Sequence, residues 1–168
     1  MEHEAVEATL RAPAERVSPR ARWLWFAEAL VLLAVLVGAQ VWWSTLDRRG
    51  SSTPHLVVGL VTALLGVGYA VLMPLWRWRV HRWEVTPTAV YTQTGWLSLE
   101  RRIAPISRIQ TVDLTRGPVA QLLGLASVRV TTASAAGPLS IHGLDHEVAA
   151  RLVETLTRAA ESERGDAT

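Results

Sequence analysis

A chain of 168 residues without cysteine cannot rest on disulfides or thiolate metal sites. Nearly half of it is hydrophobic, yet the apolar residues crowd between Trp23 and Trp76, which leaves enough for one small polar-faced domain. A formal net charge of +2, with every basic residue an Arg, carries no bulk signal for nucleic acid; that would need a basic stripe on the folded surface.

In chain order, residues 1–22 are polar and broken by Pro13 and Pro19, so they read as a flexible or partly ordered cytoplasmic tail. The apolar run that follows starts too late and lasts too long for a cleaved secretory leader, which predicts a retained anchor. The first span covers residues 23–43. Trp23, Trp25, Trp42 and Trp43 frame it as an aromatic belt would. Glu28 is its anomaly, because a carboxylate at the bilayer centre costs about 2.5–3.5 kcal/mol. It stands only about 7.5 Å along a helix from Trp23. Two readings are open: an interfacial Glu paired with Arg20, Arg22 or water, or an intramembrane polar contact facing the other helix or a partner subunit.

Ser44 to Pro54 reads as a flexible turn, so the two helices form a hairpin. The second span, residues 55–76, has no Asp, Glu, Lys or Arg and no polar face. About 20 such residues cover about 30 Å of hydrocarbon. Gly59, Ala63, Gly66 and Ala70 share one face and predict close helix packing, on the first span or on another copy. Pro74 is expected to kink the helix or mark its end. Arg77, Arg79 and Arg82 then form a basic collar of candidate membrane-surface contacts. Each such cation contributes about 1 kcal/mol of attraction to an anionic leaflet, besides setting topology. Arg11, Arg16, Arg20 and Arg22 precede the first span, whereas the loop offers only Arg48 and Arg49 beside Asp47. The bias places both termini in the cytoplasm.

Residues 77–161 read as a β-rich domain closed by a helix. Trp76, Trp78 and Val80 alternate, then Trp83 and Val85 take the opposite parity, which puts a helix-to-strand junction or bulge near His81. Strands follow over Ala89–Thr94, Leu97–Ile103, Gln110–Thr115, Ala126–Thr132 and Leu139–Ile141, the last closed by Gly143. Single helical turns are expected at Pro105–Ile109 and Val119–Leu123. Asp145 is a suitable N-cap for a helix to Glu161, with Val148, Ala149, Leu152, Val153, Leu156 and Ala160 as its apolar stripe. Residues 162–168 are expected to be a disordered tail. The predicted fold class is membrane α + β: a two-helix transmembrane hairpin, then a curved sheet or partial barrel plugged by a C-terminal helix.

Several residues of this domain resemble those of the YdbS-like family of bacterial membrane proteins, which carry a bacterial pleckstrin-homology (PH) domain. The likeness rests on Ile103, Pro105, Ile106, Ile109, Gln110 and Val112, then Gly117-Pro118, Leu123 to Ala126, the strand Val128 to Val130, and Gly143-Leu144. It spans roughly Trp23 to Leu156. The resemblance implies a PH-like barrel of two orthogonal sheets with a capping C-terminal helix, a place in the bacterial inner membrane, and no catalytic residues or cofactor. It also implies a protein partner: a larger membrane protein with several such domains, or another copy. The motif residues are mostly apolar, Gly or Pro, so they mark a fold and not a site. Eukaryotic PH domains that hold phosphoinositides cluster Lys and Arg in the first hairpin loop; here that turn is Thr86-Pro87-Thr88.

Chemistry-bearing groupings are sparse. His142 and His146 are four apart but fall on different predicted elements, so no metal site is predicted. Ser140, His142 and Asp145 have triad residue types at a spacing too short for triad geometry. No phosphate-cradling Gly loop is present. Arg101, Arg102, Arg108, Arg116 and Arg129 are expected to scatter over a solvated surface. The function expected is a non-enzymatic, membrane-anchored module for protein assembly at the cytoplasmic face; sensing of an anionic lipid or ligand through the arginines is the alternative.

Overall fold

The computed structural model describes residues 11–47, 52–96, 98–133 and 137–165. The start of the tail, the loop arginines Arg48 and Arg49, and the end of the chain lie outside the described residues.

Two long antiparallel helices, α1 (Ala21–Leu46) and α2 (Ser52–Val80), are the apolar runs of the sequence. At 26 and 29 residues, each is longer than the bilayer core requires. Their apolar side chains point outward: Leu60 is 72 % and Leu64 is 73 % exposed, which a core helix of a water-soluble domain would not allow. Between the helices the packing is close. A methyl group on Gly66 would collide with Leu33 Cδ1, and Gln40 Nε2 donates to Thr62 Oγ1 across the pair.

Helix α2 does not stop at Pro74. It continues to Val80, and Pro74 is buried against its neighbours. Trp76, Trp78 and Val80 are therefore helical despite their alternation, and the change to strand falls at His81.

Six further strands follow: β2 (Arg82–Val85), β3 (Ala89–Gly95), β4 (Leu99–Pro105), β5 (Ile109–Thr115), β6 (Leu125–Thr132) and β7 (Leu139–Asp145). A 3-10 turn at Ile106–Arg108 and a short helix α3 (Pro118–Leu122) separate them. All pairings are antiparallel. The domain is two sheets, one of β2, β3 and β4 with an added N-terminal strand, the other of β5, β6 and β7. Valines and leucines at alternate positions fill the space between them: Val90, Val128, Val130, Leu125 and Leu144 are fully buried. Helix α4 (His146–Gly165) covers this core with Ala149, Leu152, Leu156 and Ala160. The helix thus runs past Glu161 into the predicted tail. Asp145 ends β7, and its carboxylate accepts from Ser18 Oγ at 2.8 Å.

The last contact shows what becomes of the N-terminal segment. Residues 11–20 are not a loose tail. Glu15–Arg16 forms β1, paired with Trp83 and Arg82 at the edge of the first sheet. Glu84 holds Arg11 at 2.6 Å and the Ala14 amide at 2.9 Å. The guanidinium groups of Arg16 and Arg22 lie 5.2 Å and 5.0 Å from the Trp78 ring centre, and the Trp78 indole donates to Val17 O. Ser18 N then donates to Gly143 O of β7 at 2.9 Å. The segment stitches both sheets to the start of α1, so hairpin and domain share one core. Ala21, Trp25 and Ala29 of α1 belong to it.

Candidate functional site

Where α2 meets the sheets, a half-open cavity of about 440 Å³ is enclosed. Four elements build it, each with one row of side chains. Helix α2 contributes Tyr69, Met73 and Arg77, which are four apart and so lie one above another. His81 continues that row just past the helix end. Strand β3 supplies Thr92 and Thr94, and β4 supplies Arg102 and Glu100, their directly opposed partners in the ladder. Strand β7 adds Ser140 and His142. Trp96, in the turn after β3, forms one rim with Tyr69, 6.0 Å between ring centres.

A bulge helps to place His142. Between the pairs Ala126–Leu144 and Val128–Ile141 the register shifts, so His142 and Gly143 face the one residue Ser127. Gly143 takes φ +76, the left-handed region that favours glycine, and a methyl there would stand 2.6 Å from Ala21 Cβ. Helix α1 can approach β7 only because that side chain is missing. Trp25, one turn on from Ala21, then packs its ring 5.2 Å from His81 and 4.6 Å from the Arg77 guanidinium.

Two guanidinium groups, Arg77 and Arg102, face the cavity against one lining carboxylate, Glu100. Arg102 Nε lies 2.6 Å from Glu100, and Arg102 also donates to Pro138 O. Burial, then the Arg77 charge and then His142, push the His81 pKa down to about 4. Burial and the charges of Arg77 and Arg129 likewise lower that of His142. Both rings are therefore neutral at pH 7. His142 Nδ1 has Ser127 Oγ at 3.2 Å. His81 is 3 % exposed, and neither of its ring nitrogens has a hydrogen-bond partner. An unpaired buried polar group costs about 1–3 kcal/mol.

The residues singled out in the sequence disperse. Arg77 turns inward to the cavity and to Glu28, whose Oε2 is 4.0 Å away. Glu28 thus meets the other helix and not Arg20, which lies 3.9 Å from Asp145, or Arg22, which covers Trp78. Arg79 is exposed on the last turn of α2, and Arg82 donates to Pro13 O from β2. Gly66 and Ala70 face α1; Ala63 is exposed, and a methyl on Gly59 would only touch Gln40. Of the five domain arginines expected to scatter, Arg102 joins the site while Arg116 secures Leu125 O. His142 and His146 fall on β7 and α4, and no group of three potential metal ligands gathers among the described residues. Asp145 serves Ser18 and Arg20, so Ser140, His142 and Asp145 form no triad.

Arg77, His81, Arg102, Ser140 and His142 stood out singly in the sequence but not as one group; the rows that line the cavity were visible as short periods: every fourth residue from Tyr69 to His81, and alternate residues in Thr92-Thr94, Glu100-Arg102 and Ser140-His142. Each row is unremarkable alone, and only the pairing of strands brings the rows together.

Comparison with known proteins agrees with this architecture. The model of the family described as "Bacterial PH domain" matches residues 21–160, hairpin included. The chain is 28 % identical over 151 residues to the "UPF0699 transmembrane protein YdbS" of Bacillus subtilis (strain 168), covering 88 % of this chain and 93 % of that one. No solved structure matches it. With a transmembrane relative, two apolar helices of spanning length and a helix-capped pair of antiparallel sheets, the chain is a membrane protein and belongs to the bacterial PH domain family.

Proposed function

We propose that the protein is a non-enzymatic recognition module whose PH-like domain, held against the bilayer by its hairpin, receives an anionic group in the junction cavity. The observation that carries this is the convergence of Arg77 and Arg102 with two neutral histidines around one space. Guanidinium forks and imidazole or hydroxyl donors suit an oxyanion. In this reading both helices span the inner membrane and both termini are cytoplasmic. Arginine placement supports that orientation. A single cysteine is easily introduced into this cysteine-free chain: with an impermeant maleimide on intact cells, one at Thr53 should label and one at Ser162 should not.

The binding test uses the full-length protein in mild detergent. A phosphate-bearing ligand should raise its thermal midpoint, and the double change Arg77→Gln, Arg102→Gln should abolish the rise. Equal responses of wild type and double variant would remove the reading.

Protein assembly is the second reading, favoured by a different surface. Strand β4 lies at the edge of its sheet and exposes Leu99, Arg101 and Ile103 in one row. Exposed apolar edge strands are docking surfaces for another chain. A partner here would be a larger membrane protein with several PH-like domains, or a second copy. Crosslinking from a cysteine at Ile103 in native membranes should capture it; recovery of the uncrosslinked monomer alone would count against assembly.

A further inference from the structure

We propose that the ligand of the junction cavity is an anionic glycerophospholipid drawn sideways from the surrounding leaflet, its phosphate held by Arg77, Arg102 and His81. This rests on the anion reading above and adds the source of the anion.

The row from Tyr69 to His81 supplies the first argument. Twelve residues of helical rise cover about 18 Å. Tyr69 and Met73 lie within the apolar run of α2, and the row ends at a guanidinium and an imidazole inside the domain. One wall of the cavity therefore grades from hydrocarbon to charge. A soluble phosphate would use the upper end only and leave the apolar end uncovered. A glycerophospholipid has the same gradation: phosphate, then glycerol esters, then acyl chain.

The second argument is the rim. Trp96 comes from the β3–β4 turn, yet it meets Tyr69 of the span, and its carbonyl accepts the Trp76 indole N–H at 3.0 Å. Trp76 and Trp96 are 50 % and 39 % exposed. Amphipathic rings of this kind settle at the headgroup level. The cavity mouth thus opens at the depth where lipid phosphates lie.

His81 supplies the third. It is buried with both ring nitrogens unpartnered, and it lines the cavity between the two arginines' elements. Both ring nitrogens are closed to solvent in this conformation, so a turn of the ring would present its N–H to a phosphate oxygen beside the guanidinium N–H groups. The volume, about 440 Å³, falls in the range of ordinary ligand pockets and has room for more than an inorganic ion.

The test is native mass spectrometry of the full-length protein released from nanodiscs of phosphatidylglycerol mixed with phosphatidylcholine, alongside thermal shifts with soluble glycerol phosphate. We expect one retained phosphatidylglycerol per chain, enriched at least tenfold over phosphatidylcholine. Arg102→Gln and His81→Phe should each lower that retention about tenfold. If His81→Phe does not fold, Arg102→Gln, at a half-exposed position, decides alone. Stabilisation by glycerol phosphate without lipid enrichment would overturn the lipid and leave the anion site standing. Neither response would overturn both. Enrichment that survives Arg102→Gln would place the lipid elsewhere on the hairpin and overturn the assignment.

Discussion

Gly143 and His81 carry the most consequence at the scale of single residues. Gly143 combines a left-handed backbone with a close approach of Ala21. Gly143→Ala adds a left-handed penalty of about 1–2 kcal/mol and a steric clash. The unfolding free energy of the full-length protein in detergent should fall by about 2 kcal/mol or more. Ala21→Gly in the same chain should recover the steric part and not the backbone part. His81 makes a prediction about pH. Its pKa of about 4 in the folded protein lies below the ordinary 6.5. Between those values the unfolded chain binds the proton and the folded one does not, so stability is full above pH 6.5 and falls as pH drops toward 4. Arg77 and His142, the charged and titratable groups acting on it, both reinforce this direction. Wild type should lose more stability than His81→Phe between pH 6.5 and 5, a window above most carboxylate titration. Parallel curves would show that His81 is charged or solvated when folded.

At the scale of elements, the hairpin contact is uneven. The small-residue face marked by Gly59, Ala63, Gly66 and Ala70 was legible from spacing, but spacing does not say how far the partner helix follows it. The face is tight at Gly66 and Ala70 and open at Ala63. Gly66→Leu should therefore wedge the helices apart and cost about 1–3 kcal/mol. Ala63→Leu, exposed in the open groove between the helices, should leave the thermal midpoint of the detergent-solubilised protein within error. Equal losses at the two positions would mean that the face packs along its whole length. The interhelical bond from Gln40 to Thr62 contributes less, about 0.6 kcal/mol by analogy with other membrane helices. The short strand β1 makes the complementary point. Two residues have no detectable period, so nothing in Glu15-Arg16 announced a strand; the open edge of β2 recruits them.

For the molecule as a whole, Trp25 makes hairpin and domain one cooperative body. It is 1 % exposed and touches Arg77 and His81. Trp25→Ala should cost about 3–5 kcal/mol. The loss should appear in the β domain: hydrogen exchange at β6 and β7 should accelerate together with that of the first turns of α1. Unchanged exchange in the sheet would show two independent units. A rigid junction also explains why the cavity forms there. A domain on a flexible linker would not hold Arg102 and His142 in register with a row of side chains on a membrane helix.

The local features of the chain were written in its composition and periods. Long runs of apolar residues with almost no charge make helices of spanning length. Alternation bounded by Gly and Pro marks the short strands, although that of Trp76, Trp78 and Val80 belongs to a helix, and an apolar stripe every three to four residues makes the last helix amphipathic. These follow from backbone geometry and burial, which act within a dozen residues. The site required contacts between residues far apart in the chain. His142 lines one cavity with Arg77 and His81 because β7 bulges at Gly143 and α1 closes over it. Arg102 stands opposite Thr92 because of strand register. Folding alone could decide those, since distance along the chain carries no information about which sheet edge a strand will find. That is also why Arg77 reads as a collar residue in sequence and turns out to face inward: a helix end beside a domain can spend its charge on protein as readily as on lipid.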